Sequence, residues 1–578
     1  MIKLFKQSQL GVWKVFFLII FLALQTIGTL YLPRLTANII NNGVVMQDRD
    51  YVFSTGALML GVAILTGVAA ILGTYFSAWV STLFARNTRR QLFAQTQQLS
   101  YQDFRHFSTS SLITRATNDL EQLQGTLSMV FQMLLPAPFV VVIAFVLALR
   151  INTQMGLIFL IATVTISVIF ALMAKWILPI FTEVQKGLDK VNEKVAQFIT
   201  GIRVVRAFNR TKLERDRMDT SFGHFAKLNI KINRTFAMLM PFVMLLMSAV
   251  NIAIVWFGGI RIDSGDMLIG DITALLEYGM NMLMFLVMAV FTIVNIPRAK
   301  VCAARIREVL DYKPEIADGK FRLVEEDRPR LTFEDVDFRY LDAENAVLHG
   351  LSFTCKAGTT TAIIGGTGSG KSTIARLVPR LLDVSKGSIR LNGTNIKDVP
   401  QEELRKKIGF VPQRAFLFSG TIADNLRHGN PDATMGDMHE AVRISQSEDF
   451  IEALDEKYDA NVSQGGKNFS GGQRQRLAIA RMLMKKPDVY IFDDSFSALD
   501  FKTDAALRAA LKDTTKDSIV ITVAQRITTI MDADQILVVD EGKIVGRGTH
   551  HELLADCEVY QEIAKSQLSE EELGGVGA

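Results

Sequence analysis

Nine consecutive residues carry the clearest chemical purpose in the chain: Gly365, Gly366, Thr367, Gly368, Ser369, Gly370, Lys371, Ser372 and Thr373. They follow an apolar, strand-like stretch, Thr361 to Ile364, and precede a helical pattern that begins at Ile374. Strand, glycine-rich loop and helix form the context in which backbone N–H groups close around phosphate oxygens. The helix N-terminus adds its positive end, Lys371 is placed to reach the β- and γ-phosphates, and Ser372 to ligate Mg2+. Far downstream, Val489 to Phe492 reads as a buried strand that projects Asp493 from its C-terminal end, where a carboxylate can hold the Mg2+ shell of a nucleotide. A buried strand ending in Asp is weak evidence alone. Paired with the glycine loop, it predicts a nucleotide site with ATP and Mg2+ as ligands.

The elements that must position these residues occupy only half of the chain. Of 578 residues, 49% are hydrophobic, and mean hydropathy is +0.23, too apolar for an ordinary soluble enzyme. The excess lies before residue 300, in runs near 15–32, 56–79, 127–149, 155–180, 237–257 and 272–296. Each is long enough to cross a hydrocarbon layer of roughly 30 Å as a helix. Basic residues set the orientation. Arg86, Arg89, Arg90, Arg105 and Arg115 fall between the second and third runs, and nine more, from Lys186 to Arg217, between the fourth and fifth. Both segments are therefore expected in the cytoplasm, with the N-terminus and, after six crossings, the C-terminal domain on the same side. Leu92, Leu99, Val195, Phe198, Ile202 and Val205 recur at helical period among these charges, which predicts transmembrane helices that continue as long cytoplasmic arms. A net charge of +4 gives no support to a nucleic-acid partner. Cys302, Cys355 and Cys557 are too scattered for a disulfide framework or a cysteine metal site.

Between the two nucleotide elements stands Asn468 to Arg476, NFSGGQRQR, just before a helical run that leads to Asp493. Ser470, Gly471, Gly472 and Gln473 in this position, with Ser497 to Asp500 beyond, resemble the signature motif and D-loop of the ATP-binding cassette (ABC) ATPases. Gln413, in Val411-Pro412-Gln413, resembles the Q-loop glutamine, and Tyr340 the aromatic residue that stacks on adenine. The resemblance covers essentially the whole chain and is to an exporter half-transporter. It implies an all-α six-helix membrane domain (1–310) with long cytoplasmic extensions, a linker (311–330) and an α/β P-loop ABC ATPase domain (331–578). It also implies Mg2+ held through Ser372, Gln413 and Asp493. Two cassettes would close head to tail, so that Ser470 to Gln473 of one subunit complete the ATP site of the other.

Departures from the family pattern narrow the expectation. The residue after Asp493, where the family places a catalytic Glu, is Asp494. Its side chain is one methylene shorter, which retracts the carboxylate by roughly 1 Å, a displacement that costs on the order of 10²-fold in a catalytic site. The position of the switch His holds Gln525, which cannot carry charge or exchange a proton near neutral pH. Gln464 and Gly465 replace the Glu and Arg usual ahead of the signature, and Phe469 stands where Leu is usual. The chain thus resembles the degenerate-site subunit of bacterial heterodimeric multidrug-type exporters. The expected partner is a second half-transporter with an intact Glu and His. A slow homodimer and a nucleotide-gated channel or regulatory protein are the alternatives.

For cargo the pattern says less. Met280, Met284 and Met288 share one helical face near Met282, and Met238, Met240, Met244 and Met247 mark the fifth run. Flexible thioethers suit hydrophobic small molecules, lipids or peptides, although such stripes also serve packing and contact with membrane lipid. Glu277 and Lys175 are the ionisable groups singled out within the runs. Docking segments for the cassettes are expected near 108–117 and 206–212.

Overall fold

The computed structural model describes residues 2–8, 10–341 and 343–568. The acidic, glycine-rich tail from residue 569 onward and the side chains of Arg105 and Met240 lie outside the described residues. Two compact units form: residues 1–97 with 110–312, and residues 98–109 with 313–578.

The first unit is helical. Its long stretches are Val12–Asn38, Arg49–Gln98, residues 109–151, Thr153–Ala207, Thr211–Asp263 and Ile269–Leu310. Five of them are long and apolar enough to cross a membrane; the fourth expected span lies in Thr153–Ala207, whose first part, Thr153–Ile169, is apolar. Their exposed surface explains why water is the wrong solvent. In Arg49–Gln98 only 11% of the most apolar window is buried, so Leu58, Leu60, Ile64 and Leu65 face outward. A helix satisfies its own backbone hydrogen bonds, which is what lets such a surface sit in lipid. Length accounts for the expected arms. The helices Arg49–Gln98, Thr153–Ala207 and Thr211–Asp263 have 50, 55 and 53 residues. At 1.5 Å per residue they span about 75–83 Å, more than twice a hydrocarbon core of about 30 Å.

The core of this unit gathers Phe159, Tyr278, Met282, Ala144 and Leu30 from four helices. Gly270 allows the closest approach: a Cβ there would stand 2.4 Å from the Ala37 carbonyl oxygen. Its N–H donates to Asn41 Oδ1 at 2.7 Å, tying the start of the last helix to the end of the first. Met282 is buried, whereas Met280 and Met284 are exposed, so the methionine pattern divides between core and outer surface.

The second unit contains the sheets. A four-stranded antiparallel sheet runs Leu348–Lys356, Arg330–Phe338, Lys386–Leu391, Thr394–Asn395. Beside it in sequence and core is a six-stranded sheet, ordered Lys543–Gly548, Gln535–Asp540, Thr360–Ile364, Ile519–Val523, Val489–Asp493, Ile408–Val411. Only its first strand is antiparallel. Parallel strands covered on both faces read as continuous apolar runs, which is how Val489–Asp493 comes to be buried at every position.

Residues 98–109 belong to this second unit and overlap only the start of the expected docking segment near 108–117. The short helix is Tyr101–Phe107, capped by Ser100 and Asp103 and ended at Ser108 with φ 54°. Gln102 Oε1 accepts from Leu341 N–H at 3.4 Å, and the Arg376 guanidinium lies 5.4 Å from the Tyr101 ring centre. The segment 206–212 forms the turn between Thr153–Ala207 and Thr211–Asp263.

Phe333 and Phe353 stack across paired strands with ring centres 4.3 Å apart, and both are buried. Phe333→Ala should cost about 3–5 kcal/mol, and it should lower the melting midpoint of the sheet-containing unit while the helical unit's transition stays in place in calorimetry of the full chain.

Candidate nucleotide site

Four neighbouring parallel strands end on one edge of the six-stranded sheet, and each hands its next residues to the same place. Thr360–Ile364 leads into residues 365–370; Ile519–Val523 leads to Gln525; Val489–Asp493 ends in Asp493 and Asp494; Ile408–Val411 leads to Gln413. The crevice outside the carboxyl ends of such strands is where open α/β sheets hold ligands.

The loop is shaped by backbone that only glycine adopts freely. Gly365 has φ 157°, and a Cβ on it would fall 2.0 Å from the Val539 carbonyl oxygen. Gly370, at φ 102°, caps the helix Lys371–Leu377. Lys371 is buried and folds under the loop, donating to the carbonyls of Gly365 at 2.8 Å and Gly366 at 2.6 Å. Burial pushes its ammonium below the usual lysine range, against the pull of Asp494 and Asp493. A positive charge is thus held dry beneath a loop of N–H groups, an arrangement matched to phosphate. Tyr340 packs edge-on against Phe338 with centres 4.8 Å apart, and its hydroxyl shares a 3.1 Å hydrogen bond with Thr373.

Asp493 is fully buried. Ser372 Oγ donates to its Oδ1 at 2.6 Å, while Oδ2 has no partner. Burial raises this carboxyl above its ordinary range despite the Ser372 bond and the nearby Arg376 and Lys371. An orphaned carboxylate oxygen beside a serine hydroxyl fits a hydrated divalent cation that shares its ligands with a nucleotide. No cluster of three or more His, Cys, Asp or Glu side chains able to hold a metal occurs among the described residues.

Asp494 stands apart. Its backbone is left-handed, φ 49°, a conformation costing roughly 1–2 kcal/mol for a residue with a Cβ. The Asp494 N–H donates to the Val523 carbonyl at 2.9 Å, and Ser497 Oγ donates to the Asp494 carbonyl at 2.9 Å, which holds the strained turn. One carboxylate oxygen, Oδ2, receives two amides: Gln413 Nε2 and Gln525 Nε2, each at 2.9 Å. Burial, with Asp493 adding to it, still leaves this carboxyl above the ordinary range. Gln413, expected among the Mg2+ ligands, has its amide nitrogen engaged with Asp494.

Ser470 N-caps the helix Gly471–Leu483. Its Oγ accepts from Gln473 N–H at 3.2 Å, and Gln473 Oε1 accepts from Ser470 N–H at 2.8 Å. Ser470 and Gly471 are exposed, and the helix they begin packs through Leu477 into a different core cluster from that of Ile363 in the strand leading to the glycine loop. Phe469 fills the second cluster beside Phe450, 6.2 Å between centres, which accommodates a ring where the family has Leu.

Sequence reasoning missed Gln567. From the end of the last described helix its Nε2 donates to the Gln525 carbonyl at 2.8 Å, and its Oε1 accepts from Ile527 N–H at 2.9 Å. A glutamine near a chain's end carries no motif that would reveal this.

Fused membrane helices and a sheet-edge nucleotide site define an ATP-driven membrane transporter. Comparisons with known proteins give the family. Residues 15–290 match the ABC transporter transmembrane region and residues 348–497 the ABC transporter family. Over 565 residues the chain is 39% identical to an ABC transporter ATP-binding protein of Mycobacterium tuberculosis, covering 96% of each. It is 37% identical to YfiB, an ABC transporter ATP-binding protein of Bacillus subtilis, covering 93% of this chain and 94% of that one. An ATP-dependent lipid A-core flippase of Aliivibrio fischeri is 28% identical over 96% of this chain and 95% of its own. A solved bacterial Atm1-family ABC exporter with ATP bound superposes with a TM-score of 0.79 at 26% identity, over 96% and 98% of the two chains. The chain belongs to the ABC transporters, as an exporter whose membrane and ATP-binding domains are fused. It is a multi-pass membrane protein and an ATPase coupled to transport, of a type that acts as a dimer.

The raised carboxyl at Asp493 has a consequence for stability. In the window between the ordinary Asp value and its raised folded value, the folded state binds the extra proton, so stability falls as pH rises through that window. Asp493→Asn should therefore raise the melting midpoint of the nucleotide-free protein at pH 7. The gain should disappear as pH drops below about 4, a trend that melting curves across pH will read directly.

Proposed function

We propose that the chain is the degenerate half of a heterodimeric exporter of hydrophobic or amphipathic compounds. In this reading Tyr340, residues 365–373, Gln413, Asp493, Asp494 and Gln525 bind ATP with Mg2+ but turn it over slowly. Ser470 to Gln473 complete the competent site of a partner that carries the catalytic Glu and His. The observation that supports this most is the pair of amide bonds on Asp494 Oδ2. A general base needs a free lone pair aimed at a water about 3 Å away. Here the carboxylate is short, and one oxygen is already doubly engaged by side chains that donate no charge. The intact cap at Ser470 supports the second half of the proposal, since exposed N–H groups at a helix start suit a γ-phosphate presented by another subunit. Amphipathic cargo is supported by the flippase relative and by exposed methionines on the helix Ile269–Leu310.

Three outcomes test the proposal in the purified pair. Replacing the partner's Glu by Gln should lower turnover by about 10²-fold or more, whereas Asp494→Asn should lower it only a few-fold; equal losses contradict the asymmetry. Lys371→Ala should weaken nucleotide binding at this chain's loop by on the order of tenfold or more, as read by titration with a fluorescent ATP analogue. The double change Asp494→Glu with Gln525→His should restore measurable turnover to a pair whose partner Glu has been removed.

A further inference from the structure

A cleft of about 400 Å³ opens in the helical unit between Val12–Asn38, Pro136–Ile151 and Ile269–Leu310. Its walls include Arg34, Arg150, Tyr31 and Tyr278 beside Leu30 and Leu147. With the N-terminus in the cytoplasm, the first and third helices run outward and the sixth runs inward. Arg34 and Arg150 stand near the outer ends of the first two, and Tyr278 lies about two turns into the last. The cleft therefore sits at the level of the outer leaflet.

Its polar groups are unevenly satisfied. Arg34 Nη1 pairs with Asp271 Oδ1 at 3.3 Å, yet the arginine side chain remains 45% exposed. Asp271 is occupied a second time, Oδ2 accepting from Leu268 N–H at 3.2 Å. Arg150 is exposed and makes no ion pair or hydrogen bond among the described residues. Tyr278 is fully buried, and its hydroxyl has no partner. Glu277, the ionisable residue the sequence had marked here, adjoins Tyr278 without lining the cleft. Thus the one acidic group bonded to a cleft arginine is already spent, which leaves the Arg150 charge and the Tyr278 phenol unanswered. Ionisable side chains toward the membrane are costly to leave unpaired and are functional candidates by default.

We infer that this cleft binds an amphiphile through an acidic headgroup, a phosphate or carboxylate. Arg150, supported by Arg34, supplies planar donors matched to such oxygens. Tyr278 donates the hydrogen bond it otherwise lacks. The volume is at the low end of small-molecule pockets, enough for a headgroup and a few methylenes, so the rest of the chain lies along Leu30, Leu147 and the exposed face of Ile27. The inference rests on the proposed export of amphipathic compounds and adds the charge of the headgroup and the place where it is held.

The test uses the full chain with its partner in detergent and two fluorescent diacyl lipids that differ only in headgroup, one anionic and one zwitterionic. The anionic lipid should bind about tenfold more tightly. Arg150→Gln and Tyr278→Phe should each remove most of that preference, and Arg150→Lys should keep part of it. Millimolar inorganic phosphate should fail to displace the lipid, because the apolar walls contribute; displacement would overturn the amphiphile assignment. Equal binding of the two lipids, or preference unchanged in both variants, overturns the inference even where the pair still hydrolyses ATP and exports a neutral amphiphile. A wild-type pair whose turnover responds to no amphiphile overturns the export reading beneath it.

Discussion

A single carboxylate oxygen ties together the loops at one edge of the six-stranded sheet. Asp494 Oδ2 accepts from Gln413 on one side and Gln525 on the other, so three loops that leave three different strands are joined through one atom. Each amide adds a hydrogen bond without adding charge. The carboxylate is thereby positioned by two amides, and among the described residues it makes no ion pair. Gln567 extends the same chain of contacts, since it grips the backbone on both sides of Arg526. The result is a connected polar network at the place where the family performs hydrolysis, and in low-dielectric surroundings such networks hold geometry firmly when satisfied.

Asp493 obeys the opposite logic. It lies on the same strand end, yet one of its oxygens is left without a partner and its charge is disfavoured by burial. A group that destabilises the ligand-free state is well placed to gain from a cation, and stability exchanged for function is common at such sites. Adjacent carboxylates therefore differ by environment: one keeps an unpartnered, buried oxygen, the other has an oxygen that accepts two amides. The membrane unit repeats the contrast, with Arg34 answered by Asp271 and Arg150 left open.

How much of this was legible in the residues depends on distance along the chain. The glycine loop, Lys371 and Ser372 are contiguous, and their place between a strand and a helix follows from spacing; the place of Asp493 follows from a buried strand that ends in a carboxylate. Long cytoplasmic arms were visible in Leu92, Val195 and Ile202, because helical period persists beyond the apolar runs. Contacts between remote residues left no such mark. Arg34 and Asp271 meet across 237 positions, each beside an apolar run where a charge reads as interfacial. The bond between Tyr340 and Thr373 depends on two side chains brought together by the sheet, and the second role of Gln413 on a rotamer. The short helix Tyr101–Phe107 was not legible because Ser100 and Asp103, which cap it, also resemble ordinary loop residues.

The central claim is that this chain's site grips ATP while its partner's site cleaves it. In the assembled pair under steady turnover, photo-crosslinking of ATP labelled either at the α- or at the γ-phosphate reads the two sites separately. The account predicts that this chain retains both labels equally while the partner retains only the α-label; loss of the γ-label from both chains at the same rate would contradict it.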